Sequence, residues 1–127
     1  MWIVIGAITA LMAVAMGAAT SHGLQAKLTA NAFAQVQIAI DYQFYHALAL
    51  VVLGGLLKSQ LLRPRAGLLC GMLFVLGLLL FSGGIYVKHL VSSSLMTQFI
   101  PLGGMSFMAG WLMLVLATVG YERKSTQ

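Results

Sequence analysis

Four long apolar stretches separated by short polar ones organise this chain. The first runs from Trp2 to about Thr20 without a charge, and the second ends at Leu57 and reaches back to about Ile38. A third covers Ala66 to Val87 and a fourth about Ile100 to Tyr121. A helix needs about 20 apolar residues to cross the hydrocarbon core of a bilayer. The pattern therefore predicts an all-α, integral membrane four-helix bundle with spans at about 2–20, 38–57, 66–87 and 100–121. Residues 24–40 are too many for a tight turn. Thr29 can cap a helix starting at Ala30, where Phe33, Val36 and Ile40 recur at helical spacing against Asn31, Gln35 and Gln37. This segment reads as an amphipathic lead-in lying at the membrane surface and continuous with the second span. Pro64 and Pro101 suit the first turns of helices three and four.

Composition narrows the class. With 127 residues there is room for one domain, so residues 1–127 read as a single transmembrane domain. The chain is 61% hydrophobic and 7% charged, with a mean hydropathy of +0.98, far from the composition of a soluble domain. Its net charge of +5 comes from Lys and Arg scattered at the ends of apolar runs, which is no footprint for nucleic acid. Four spans put both ends of the chain on one side, with Lys58, Arg63, Arg65, Arg123 and Lys124, against Lys27 and Lys88 on the other. The positive-inside rule then predicts up-down-up-down topology with both termini cytoplasmic. Gly17-Ala18-Ala19 has the small residues of a signal-peptide cleavage site, but no basic segment precedes it and the apolar run is long, so the helix is expected to be retained. Cys70 has no partner for an intramolecular disulfide.

Small residues carry helix association where lipid removes the hydrophobic drive. Gly6, Ala10, Ala13 and Gly17 share one face of helix one. Gly67, Gly71, Phe74, Gly77, Phe81 and Gly84 alternate gaps and rings in helix three, and Gly103, Phe107, Gly110 and Ala117 do so in helix four. Such seams read as tight helix contacts rather than as hinges or pore lining. Eight methionines would admit Cu(I), yet only Met12 with Met16 and Met105 with Met108 share a face, and flexible packing explains them better. No metal or other cofactor is expected.

The polar residues concentrate at DYQFYHALAL, residues 41–50. Asp41, Tyr42, Tyr45 and His46 span one side of helix two. The predicted topology sends His22, Lys88 and His89 to the same membrane face, with Ser21, Ser82, Tyr86 and Gln98 nearby. Three readings compete: a helix-locking network in which Asp41 pairs with a lysine, a metal or haem site built on the three histidines, or a proton or substrate relay through Asp41 and His46. No metal-motif spacing, nucleophile elbow or phosphate loop is present, which argues against an enzyme.

GAATSHGL (17–24), YQFYHALAL (42–50), LFSGGIY (80–86) and IPLGGMSFMAGW (100–111) together resemble the signature blocks of the YgdD-like family. These are small bacterial inner-membrane proteins of unknown function with mitochondrial relatives. The family's first block more often reads GAFGAHGL, and its fourth often has Thr where this chain has Ile100. The resemblance implies a four-span inner-membrane protein and brings no activity. Its matching positions weight the candidate ligand-binding set, His22, Tyr42, Tyr45, His46, Asp41, Ser82 and Tyr86, towards His22, Tyr42, Tyr45 and His46. His22 and His46 are then expected close together near the outer surface, joined through Tyr42 or Tyr45, with His46 about 7.5 Å deeper than Asp41. The expected role is a non-catalytic accessory or scaffold that self-associates or binds a membrane-protein partner in the lipid bilayer. The alternative is a small transporter or a ligand or metal carrier using His22, His46 and Asp41.

Overall fold

The computed structural model describes residues 1–125, with side-chain surroundings through Thr118; Arg123 and Lys124 of the charge asymmetry lie outside the described side chains. Helix α1 covers Trp2–Ala19 and runs on through a π-helical turn at Thr20–Leu24. Next come α2, Ala30–Lys58, and α3, Pro64–Gly77, which passes through a second π turn at Leu78–Ser82 into α4, Gly83–Leu90. A short 3-10 turn at Thr97–Phe99 leads into α5, Ile100–Ser125. Counted with their π and 3-10 turns, four of these helices are long and apolar enough to cross a membrane: Trp2–Leu24, Ala30–Lys58, Pro64–Leu90 and Thr97–Thr118.

Local chemistry sets these boundaries. The Thr29 hydroxyl accepts a 3.2 Å hydrogen bond from the Ala32 amide, which fixes the start of α2 at Ala30 and makes the lead-in and the second span one 29-residue helix. Pro64 occupies the first turn of α3, where its missing N–H leaves no bond unmade. Gln60 turns the chain out of α2 at a φ of 56°, and the Leu61 amide bonds back to the Leu56 carbonyl at 3.0 Å, so the last carbonyls of α2 are met inside the turn.

Packing follows the small-residue seams. At Gly6 a Cβ would sit 2.6 Å from the Ala47 carbonyl oxygen and 2.9 Å from the Val51 amide, so α1 and α2 touch backbone to backbone. Gly54 receives Ile3 and Gly17 faces Ile40, so residues early in α1 meet residues late in α2. Rings fill the gaps elsewhere. Phe107 of α5 occupies the space over Gly77, Phe74 of α3 that over Gly110, and Trp2 that over Gly71, while Gly103 lies directly against the backbone of Leu80 and Phe81. Leu50, Leu53 and Phe74 are fully buried at the centre, and Val36, Ala39, Ile40 and Ile85 form a second cluster towards the Ala30 end of α2.

The glycine contacts make a direct prediction. Gly6→Val has fixed backbone on the facing side and should destabilise by about 1–3 kcal/mol, as overpacking does. Gly55→Ala, with open space around it, should leave stability unchanged or raise it. Thermal unfolding of the two variants in detergent checks this; equal effects would refute the backbone contact at Gly6.

Candidate functional site

A buried imidazole is the centre of the site. Twelve residues separate His46 from Lys58 along α2 and eleven separate it from Gln35, about 18 Å and 16 Å at about 1.5 Å per residue. Gln35 bonds to Lys88 and His89, so the polar levels at the two ends of the bundle lie about 34 Å apart, close to the thickness of a hydrocarbon core. His46 therefore lies about midway between these two polar levels along α2. The expectation measured depth from Asp41, whereas the polar edge lies six residues earlier, at Gln35.

Both ring nitrogens of His46 are engaged. The Trp111 Nε1–H reaches His46 Nε2 at 3.1 Å, and Nδ1 lies 2.7 Å from the Tyr42 carbonyl oxygen. An indole nitrogen only donates, so Nε2 must accept and Nδ1 must carry the proton that it donates to Tyr42. The geometry thus assigns one tautomer of a neutral ring. Phe107 stacks on the imidazole with centroids 3.6 Å apart and planes at 13°, and Phe74 closes in at 5.5 Å. Tyr42 contributes its backbone carbonyl to His46, and its ring packs 4.9 Å from that of Phe81.

Outside this aromatic cage a groove of about 530 Å³ opens towards lipid between α2 and α5. Tyr42, Tyr45 and His46 line it from α2, and Gly104, Met105 and Met108 from α5. Three of the sequence-predicted residues thus meet in one place.

The others do not join them. His22 is exposed in the π turn that ends α1. Gly6 faces Ala47 and the Thr9 carbonyl bonds to Gln43, so α1 passes the level of His46 near Gly6 to Thr9, and thirteen residues, about 20 Å, separate Thr9 from His22. The expected His22–His46 pair does not form, because two residues at the same end of neighbouring helices in sequence terms need not share a depth. Asp41 is exposed beside Phe44 and Tyr45, without an ion pair or hydrogen bond among the described residues. The lysine expected to face it, Lys88, instead donates to Gln35 Oε1 at 3.3 Å. Nor do three His, Cys, Asp or Glu side chains come together among the described residues.

Ser82 and Tyr86 belong to a second network, made with Ala39 and Gln43 of α2 rather than with His46. The Ser82 hydroxyl donates to the Ala39 carbonyl at 2.9 Å. Tyr86 donates to Gln43 Oε1 at 2.8 Å, and Gln43 Nε2 donates to the Thr9 carbonyl at 3.0 Å, so one glutamine links α1, α2 and α4. The π turn at Leu78–Ser82 ends in this network, with Phe81 against Tyr42 and Ser82 against Ala39 from adjacent positions. Gln43 and Trp111 were absent from the candidate set. Each carries a signal: an amide or an indole N–H inside an apolar run has to find a partner on another helix.

The comparisons with known proteins follow this geometry. A family described as "Protein of unknown function (DUF423)" matches residues 16–104. The chain is 36% identical to the UPF0382 membrane protein YwdK of Bacillus subtilis, over 94% of this chain and 97% of that protein. It is 34% identical to the UPF0382 membrane protein SH2409 of Staphylococcus haemolyticus, over 93% and 94% respectively. No solved structure matches.

The Trp111–His46 bond should be measurable as a coupling. In a double-mutant cycle of Trp111→Phe and His46→Phe, unfolding in detergent should show about 1 kcal/mol of coupling, between the average of about 0.6 and the maximum of about 1.7 seen between membrane helices. Strictly additive effects would refute the bond.

Proposed function

The chain belongs to the DUF423 family of membrane proteins, and from that premise we propose that it is a non-catalytic accessory or scaffold of the bacterial inner membrane. Its groove between α2 and α5 is the face offered to a transmembrane helix of a partner. The observation that carries this reading is the engagement of both His46 nitrogens within the bundle. A relay or ligand site needs a lone pair or a proton free to face its substrate, and this imidazole offers neither. Its bonds instead hold α2 against α5 and present the groove. What the groove offers to a partner is Tyr42 and Tyr45, the thioethers of Met105 and Met108, and Gly104. Methionine adapts to an apolar partner, and glycine permits close helix approach.

The orientation belongs to the same proposal: a single domain with four spans running up-down-up-down and both termini in the cytoplasm. Lys58, Arg63 and Arg65 on one side and Lys27 and Lys88 on the other support it through the positive-inside bias, which Arg123 and Lys124 of the sequence extend.

One set of single-cysteine variants, made in a Cys70→Ala background and assayed in native membranes, tests both parts. Cysteine at Met108 should cross-link to a second copy or to another membrane protein, and cysteine at Met12, on α1 away from the groove, should not. Cysteine at Gln60 should be shielded from an impermeant maleimide in intact cells and cysteine at Ser93 labelled. Equal cross-linking at Met12 and Met108, or none at Met108, overturns the contact face. Labelling at Gln60 but not Ser93 overturns the orientation.

A further inference from the structure

The end of the bundle remote from Lys58 holds a cavity with different chemistry from the groove. It measures about 590 Å³, and Lys27, Lys88 and His89 line it together with the serine run 92–94 and Thr97. Among the described residues no carboxylate lines it. Asp41, the one acidic side chain among those described, lies six residues beyond Gln35 along α2, about 9 Å away. Lys88 and His89 both donate to Gln35 Oε1, at 3.3 Å and 2.7 Å, and Gln35 Nε2 is in turn held by Asn31 at 3.2 Å. A neutral amide positions the ammonium without cancelling its charge, so the two lysines remain electrically uncompensated. Thr29 and Ala32, from the first turn of the 29-residue α2, open on the same space and add the positive end of a long helix dipole. Thr97, one of the lining residues, has its Oγ1 buried without a hydrogen-bond partner among the described residues. A buried hydroxyl without a partner is a group awaiting one.

We propose that this cavity is a phosphate-binding site whose occupant is the headgroup of an anionic phospholipid. Two ammonium groups, an imidazole, several hydroxyls and a helix N-terminus match the charge and the acceptor oxygens of a phosphodiester. Its place in the structure selects a lipid over a soluble anion. The cavity lies at the polar edge of the apolar slab, Leu28 forms part of its wall, and Val91 and Leu95 stand 69% and 78% exposed on either side of the serine run. Acyl chains of a bound lipid would meet these apolar side chains while its phosphate meets the lysines.

Native mass spectrometry of the detergent-purified full chain, titrated with phosphatidylglycerol, phosphatidylcholine or inorganic phosphate, tests the proposal. The wild type should prefer phosphatidylglycerol over phosphatidylcholine. The double variant Lys27→Gln, Lys88→Gln should lower that preference about tenfold or more, from the strength of lysine contacts to anionic lipid. Lys58→Gln with Arg63→Gln, at the opposite end, should retain it. Thr97→Val, which keeps shape and charge, should weaken phosphatidylglycerol binding by several-fold with an unchanged unfolding temperature. An unchanged preference in the Lys27, Lys88 variant overturns the site, and so does an equal loss in the Lys58, Arg63 variant. Binding of inorganic phosphate that depends on Lys27 and Lys88, without any preference between the lipids, overturns the lipid assignment in favour of a soluble anion.

Discussion

A polar group inside a bilayer has no water to bond to, and Ser82, Ser106, Cys70, Gln43, Trp111 and His46 each find a partner in the protein. Several of the contacts that fix the helices relative to one another answer that demand. Ser82 reaches the Ala39 carbonyl across to α2, Ser106 the Leu73 carbonyl at 2.7 Å, and Cys70 the Gly110 carbonyl at 3.3 Å. Gln43 satisfies both ends of its amide by bridging Thr9 and Tyr86. At mid-depth the indole of Trp111 and the imidazole of His46 satisfy each other, and the spare proton of the imidazole goes to the Tyr42 carbonyl. Hydrogen bonds of this kind are individually modest, about 0.6 kcal/mol on average between membrane helices. Their larger effect is on alternatives, since sliding one helix past another would leave several of these groups unpaired at once.

The same side chains decide how closely the helices approach. Phe74 and Phe107 fit over Gly110 and Gly77, and Gly103 lies against the backbone at Leu80 and Phe81, so the third span and α5 interlock in one register. That register places Phe107 flat against His46 and Trp111 within reach of its Nε2. Packing and polar pairing therefore specify one arrangement, and the groove outside Tyr42 and Tyr45 is a product of it. The carrier reading draws no support from this arrangement, because the imidazole it would use is already committed.

Much of this was legible in the chain. The four apolar runs, the Thr29 cap, Pro64 in a first turn and the glycine seams all follow from rules of spacing that membrane helices obey strictly. The depth of the site was not, because periodicity assigns a residue to a face and leaves its height to the neighbouring helices. Spacing alone puts the polar edge at Asp41, whereas the contacts to Lys88 and His89 are made by Gln35, six residues nearer the start of α2. The π turn at Leu78–Ser82 was equally hidden. It shifts the phase of the third span by local backbone geometry that a regular helical count misses, and it sends Ser82 and Tyr86 to Gln43's side of α2 rather than to His46.

The central claim is that His46 and Trp111 pair near the middle of the bilayer. Trp111 is 45% exposed on the lipid-facing side, so its fluorescence reports that depth directly. In a Trp2→Phe background reconstituted into liposomes, Trp111 emission should be quenched most by phospholipids brominated near the methyl ends of their chains. Substituting His46→Phe should then shift the emission by removing the acceptor of the indole N–H. Strongest quenching by lipids brominated next to the headgroup, with emission indifferent to His46, would contradict the account.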